Sequence, residues 1–157
     1  MPTPDHRSRL RRGVVAGLAG GAGFALGVSL HPRVGDCPAG DLRKLPRMLA
    51  DFGPFARWWP LIGRLVHAAN SVAVGITYGA IEDRLRGPGW LRGLAFAMAE
   101  NAILWPIIIL IDRVHPAVKS GAAPRYNQPA PAALEVVRHA AYGIVLGTVY
   151  ERLRSRT

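Results

Sequence analysis

The chain has 157 residues, half of them hydrophobic, with 18 Gly, 13 Pro, a single Cys and a formal net charge of +10. That apolar content excludes a disordered chain, and one Cys excludes an intrachain disulfide framework and any Cys-rich zinc site. The charge invites a nucleic-acid reading, but the basic residues sit at the ends of apolar blocks and form no groove-tracking stripe, so no nucleic-acid partner is expected.

The basic run RSRLRR precedes the first apolar block, Gly13 to Leu30, which is free of charge over 18 residues. That is about the minimum for a membrane helix. The block holds six glycines. Each costs roughly 0.5–1 kcal/mol relative to Ala in a helix exposed to water, whereas membrane helices use small residues to bring backbones together. Gly13, Gly17, Gly21 and Ala25 form one ridge at i+4 spacing. A cleaved secretory signal is the alternative, but the run is longer than an ordinary signal core and no A-x-A-type site follows it. An uncleaved first span over 13–30 is therefore expected.

Next comes Asp41 to Trp59. Leu42, Leu45, Leu49, Phe52 and Trp59 share an approximate helical face, with Arg43, Lys44, Arg47 and Asp51 off it. Pro46 and Gly53-Pro54 break the run, which predicts short amphipathic pieces over 41–59 lying on the outer leaflet. Cys37 reads as an isolated thiol.

Three further blocks follow. Leu65 to Ile81 carries His67, Asn70, Ser71 and Thr77. Gly93 to Ile111 has one ionisable residue, Glu100. Leu134 to Tyr150 carries Glu135, Arg138, His139 and Tyr142. The second and fourth blocks have 17 residues each, a rise of ~25 Å against a hydrocarbon core of ~30 Å, so Arg64 and Arg138 are expected to snorkel at their ends. Trp105-Pro106 predicts a kink in the third span, and His31-Pro32 and His115-Pro116 read as span terminators. The competing reading, a water-soluble helical bundle, is disfavoured by the glycine content.

The segments 1–12, 82–92 and 151–157 hold ten arginines close to span ends, at twice the density of basic residues in the opposite loops. By the positive-inside rule both termini are expected to be cytoplasmic, in a bacterial inner membrane. Trp58, Trp59 and Trp90 fall at the expected interfaces.

The sequence also repeats. His67-Ala68-Ala69, Gly75 and Tyr78 recur as His139-Ala140-Ala141, Gly147 and Tyr150, all at an offset of 72. Arg12-Gly13 recurs as Arg92-Gly93, and His31-Pro32 as His115-Pro116. Each half would hold two spans, so both would insert the same way up. The predicted fold is all-α: four transmembrane helices in two parallel helix-hairpin repeats, related by a pseudo-two-fold axis along the membrane normal. Gly13, Gly17 and Gly21, with the pairs Gly75/Gly79 and Gly143/Gly147, are the candidate helix-packing residues.

A Gly-rich first span, four spans, and a last span of the form His139-x3-Gly143-x3-Gly147-x2-Tyr150 resemble small bacterial inner-membrane proteins of the YagU-like kind, a domain of unknown function. The resemblance implies no catalytic residues.

Inside the spans, Glu100 lies eight residues past Arg92, ~12 Å from the cytoplasmic edge. Counting the same rise along the other helices puts Asn70, Ser71 and Tyr142 near its level and His67 and His139 about a turn higher. Lipid cannot satisfy these groups, so they are expected to meet in an intramembrane polar network. The preferred reading is a non-catalytic structural or accessory membrane component with no cofactor, its partners being the lipid bilayer and a homo-oligomer or larger membrane complex. The second is a small transporter or proton-linked channel using Glu100, His67 and His139. The third is a b-type haem held by His67 and His139, or a metal held by these with Glu100.

Overall fold

The computed structural model describes residues 6–29, 58–119, 121 and 125–156. Among these residues all regular structure is helical: α1 (His6–Ser29), α2 (Trp59–Ile81) running into a 3-10 turn at Glu82–Arg84, α3 (Gly89–Val114), the short α4 (Pro116–Lys119) and α5 (Pro129–Arg154). Every long helix begins before its predicted block, because hydropathy marks the apolar part of a helix while caps and prolines set its ends. Arg7 to Arg12 thus form the opening turns of α1. Pro88 and Gln128, both extended, precede α3 and α5. His115 is also extended, the conformation favoured before proline, and it ends α3 with its N–H bonded to the Ile111 carbonyl at 2.9 Å. Pro106 sits inside α3 without ending it. The expectations for 41–57, for Cys37 and for His31-Pro32 lie outside the described residues.

Backbone-to-backbone contact organises the packing. A Cβ on Gly13 would stand 2.8 Å from the Gly75 carbonyl, and one on Gly17 would overlap the Ser71 carbonyl, so α1 and α2 pack antiparallel with nothing between their backbones. The α3–α5 pair does the same: a Cβ on Gly89 would lie 2.6 Å from the Gly147 carbonyl, and one on Gly93 would overlap the Gly143 carbonyl. These contacts correct the predicted register. Gly17 meets positions 71 and 75, and Gly93 meets positions 143 and 147, so the partner of Gly93 in the first hairpin is Gly17 and not Gly13. The Arg-Gly dipeptides mislead by one helical turn. The candidate packing glycines are all buried within the chain. Gly79 and Gly21 instead make room for side chains, the Tyr150 ring at 3.1 Å and the Ser71 side chain.

A second face of α1 packs along α5, where Gly20 and Gly23 admit the Tyr142 ring and Val145 at 2.9 and 3.1 Å. Counted from Gly17 and Gly93, the α3 residues at those places are Phe96 and Ala99. Phe96 fills the space by stacking on Tyr78 at 5.4 Å, and α2 and α3 meet through side chains without a lengthwise contact. The lengthwise contact of α1 with α5 thus has no counterpart between α2 and α3, and the expected two-fold is not shown.

The distribution of polarity is inverted. Arg12, Ser71, Glu82, Arg92, Asn101, Asp112, His115, Glu135 and Arg138 are buried, beside a small apolar cluster of Ala16, Phe24, Tyr78, Ala97, Tyr142, Leu146 and Tyr150. Ile103, Ile107, Leu110 and Val114 of α3 face outward, Ile103 at 73% exposure, as do Leu65 of α2 and Val137 of α5. Only 11% of the most apolar stretch of α3 is buried. Among the described residues α3 and α5 are the two helices long and apolar enough to cross a membrane, where four were expected. His67, Asn70, Ser71 and Thr77 dilute α2.

Candidate functional site

Two polar clusters occupy opposite ends of the bundle. The first is built by α5, which carries Glu135, Arg138, His139 and Tyr142 at i, i+3, i+4 and i+7, one face of a helix. His139 is the hub. Its Nε2 lies 3.4 Å from Oε2 of Glu100 on α3, and its Nδ1 lies 3.2 Å from Oε1 of Glu135 and 3.0 Å from the Glu135 carbonyl. Arg138 donates to Glu135 at 3.5 Å, and its guanidinium stands 5.9 Å from the Phe24 ring centre. Phe24 of α1 meets His139 edge-on at 5.5 Å and His67 of α2 at 5.4 Å. His67 sets Nε2 3.1 Å from the Gly21 carbonyl, donating in the tautomer protonated there. One imidazole thus contacts two carboxylates from different helices, an arrangement that can pass a proton between Glu100 and Glu135 or simply lock α3 to α5.

The predicted network is assembled only in part. Glu100 and His139 meet, which corrects the expected level by about a turn: Ala97 opposes Gly143, so the next turn of α3 faces position 139. Tyr142 and Ser71 form a separate link, the Tyr142 hydroxyl donating to the Ser71 carbonyl at 3.1 Å. Asn70 is exposed and makes none of these contacts. The Phe24 ring contacts both His67 and His139, and the two His139 nitrogens face Glu135 and Glu100. No group of three His, Cys, Asp or Glu suited to a metal occurs among the described residues. Arg138 does not snorkel; it is buried against Phe24 and Glu135. The role of Glu135 was missed, although its i,i+4 spacing to His139 was the available signal.

The second cluster ties four helices together at the other end. Buried Arg92 donates to Glu82 at 2.7 Å and to Glu151 at 3.0 Å, a forked use of the guanidinium. The other Glu151 oxygen accepts the Gly89 N–H at 3.0 Å, at the start of α3. Arg154 reaches Glu82 at 3.3 Å, and Arg9 of α1 pairs with Asp83 at 2.5 Å. Arg12 stands 5.6 Å over the Tyr150 ring, which meets Tyr78 at 5.3 Å in a T-shape. Burial pushes the Glu82 carboxyl up, helped by its hydrogen bond with Asp83 and opposed by Arg154 and Arg92. For Asp83 the desolvation is outweighed by that same hydrogen bond and by Arg9, so its carboxyl is held low. Arg9, Arg92 and Arg154, which mark one side of the chain by their charge, are here structural partners of Asp83, Glu82 and Glu151.

Residues 7–157 match the family of unknown function DUF6789. The chain belongs to DUF6789. This match does not confirm the YagU-like resemblance. No curated protein and no solved structure matches the chain. The DUF6789 match takes in all four long helices, so both polar clusters lie within the family's own domain.

Proposed function

We propose that this DUF6789 protein is a polytopic inner-membrane protein of bacteria. In this reading α1, α2, α3 and α5 cross the bilayer as two hairpins of common origin inserted the same way up, with both termini cytoplasmic. Its role is structural or accessory, without catalysis. The observation that carries the reading is the inverted polarity: the charged groups pair inside the bundle while α3 and α5 turn aliphatic side chains outward. A soluble bundle would reverse this, because exposed aliphatic area costs free energy in water and none in lipid. The arginines at one end agree with cytoplasmic termini. The test is fractionation of the expressed protein. It should sediment with membranes and resist alkaline carbonate, and release without detergent would overturn the reading. A reporter active only in the cytoplasm, fused after Thr157, should be active.

A second reading, a proton-linked channel or transporter, is favoured by the Glu100–His139–Glu135 contact, where one imidazole bridges carboxylates of two helices. In reconstituted vesicles Glu100→Gln should abolish flux under this reading. Under the structural reading no flux exists to lose, and only thermal stability changes.

A further inference from the structure

The arginine end leaves a rim that its own acids do not neutralise. Glu82 and Glu151 turn toward buried Arg92, Arg154 adds to Glu82, and Asp83 takes Arg9. Arg11 on α1, Arg84 and Arg86 on the α2–α3 connection, and Arg152 on the last turn of α5 are exposed, and no described carboxylate reaches them. The ion pairs among α1, α3, α5 and the 3-10 turn gather these arginines at one end of the bundle. Below Arg11 and Arg152 lies exposed apolar surface on the same helix, and Arg86 leads into the exposed start of α3. Arg11 is followed on its face of α1 by Val15 and Leu18, Arg152 stands two turns from Ile144 on α5, and Arg86 precedes exposed Trp90. A guanidinium above an aliphatic stripe matches one ligand chemistry: a phosphodiester carrying acyl chains.

We propose that Arg11, Arg84, Arg86 and Arg152 bind the phosphates of anionic phospholipids, whose chains lie along the outward faces of α1 and α5. The proposal rests on the membrane reading. Guanidinium groups hold phosphate oxygens with paired N–H donors, and each basic residue near an anionic leaflet adds to retention. A free phosphate would use the arginines but not the stripes; a nucleic acid would meet a rim split among three helices.

The experiment reconstitutes the purified protein in phosphatidylcholine vesicles with and without phosphatidylglycerol, re-extracts it in mild detergent and measures bound lipid by native mass spectrometry. Wild type should retain phosphatidylglycerol above its share of the vesicle, and this excess should shrink with added salt. The triple variant Arg84→Gln, Arg86→Gln, Arg152→Gln should insert equally well but lose the excess by about tenfold or more. The matching triple Arg→Lys variant should keep most of it, which a purely structural role for these exposed side chains would not require. An absence of excess in wild type, or an unchanged excess in the Gln variant, overturns the proposal. So does complete displacement by inorganic phosphate at matched ionic strength, which would mark a free-anion site, or capture of single-stranded RNA in preference to lipid. Failure of the wild type to float with either vesicle instead removes the membrane reading beneath it.

Discussion

Arg92 serves two carboxylates from a position with almost no access to solvent, and its loss would leave Glu82, which is 3% exposed, with only the half-exposed Arg154 as a cationic partner. Breaking a buried pair by removing one partner costs about 3–5 kcal/mol, so Arg92→Gln should lower the thermal midpoint in detergent sharply. Arg92→Lys should recover only part of the loss, since an ammonium lacks the fork that spans Glu82 and Glu151. Asp83 shows the pH consequence. Its carboxyl is held below the ordinary range, so the stability it adds is present above that range and disappears as pH falls through its folded value. The difference in melting temperature between wild type and Asp83→Asn should therefore be largest near neutral pH and close up in acid. Glu82 runs the other way: its raised carboxyl favours the fold at low pH and less so as pH rises. A gap that widened in acid would contradict the Arg9–Asp83 assignment.

Helix pairing depends on glycines that admit a neighbouring backbone. A side chain at Gly93 or Gly147 would run into the carbonyls of Gly143 or Gly89, which cannot rotate away. Forced overpacking costs about 1–3 kcal/mol or more, so Gly93→Val should destabilise the α3–α5 hairpin and expose its cysteine-substituted interface to thiol labelling. Gly121 has nothing within 4 Å, so Gly121→Ala carries only the strain of its φ of +75° and should cost about 1 kcal/mol. Equal losses at the two sites would mean that the close approach does not hold the hairpin. The sequence made these glycines visible as small-residue repeats, and they do pack helices. It could not say which ridge meets which, because an i+4 pattern looks the same after a shift of one turn. The register at Gly13 and the level of Glu100 each shift by about one turn, the first because the Arg-Gly dipeptides misalign and the second because rise was counted from Arg92.

For the molecule as a whole, the outward aliphatic surface of α3 is the feature with consequences. With Ile103, Ile107, Leu110 and Val114 exposed, transfer to water without detergent should cause aggregation, read as loss of a monodisperse peak in gel filtration. Ile107→Glu should impair membrane insertion, while the same change at buried Ala97 should impair packing and leave targeting intact. A soluble, monodisperse Ile107→Glu protein with raised stability would reverse the assignment of outside and inside.

Composition and the apolar blocks were enough to expect helices rather than strands and to mark the apolar part of each long helix among the described residues, since both depend on local properties of the chain. The partners of the buried charges were a tertiary outcome. Arg138 could as well have reached for solvent, and Glu135 could have ended a helix, until the approach of α1 and α3 enclosed both. Which helix faces came together was decided the same way, with Gly20 admitting the Tyr142 ring and Phe96 meeting Tyr78, because packing compares volumes that lie far apart in sequence and meet only when the helices close.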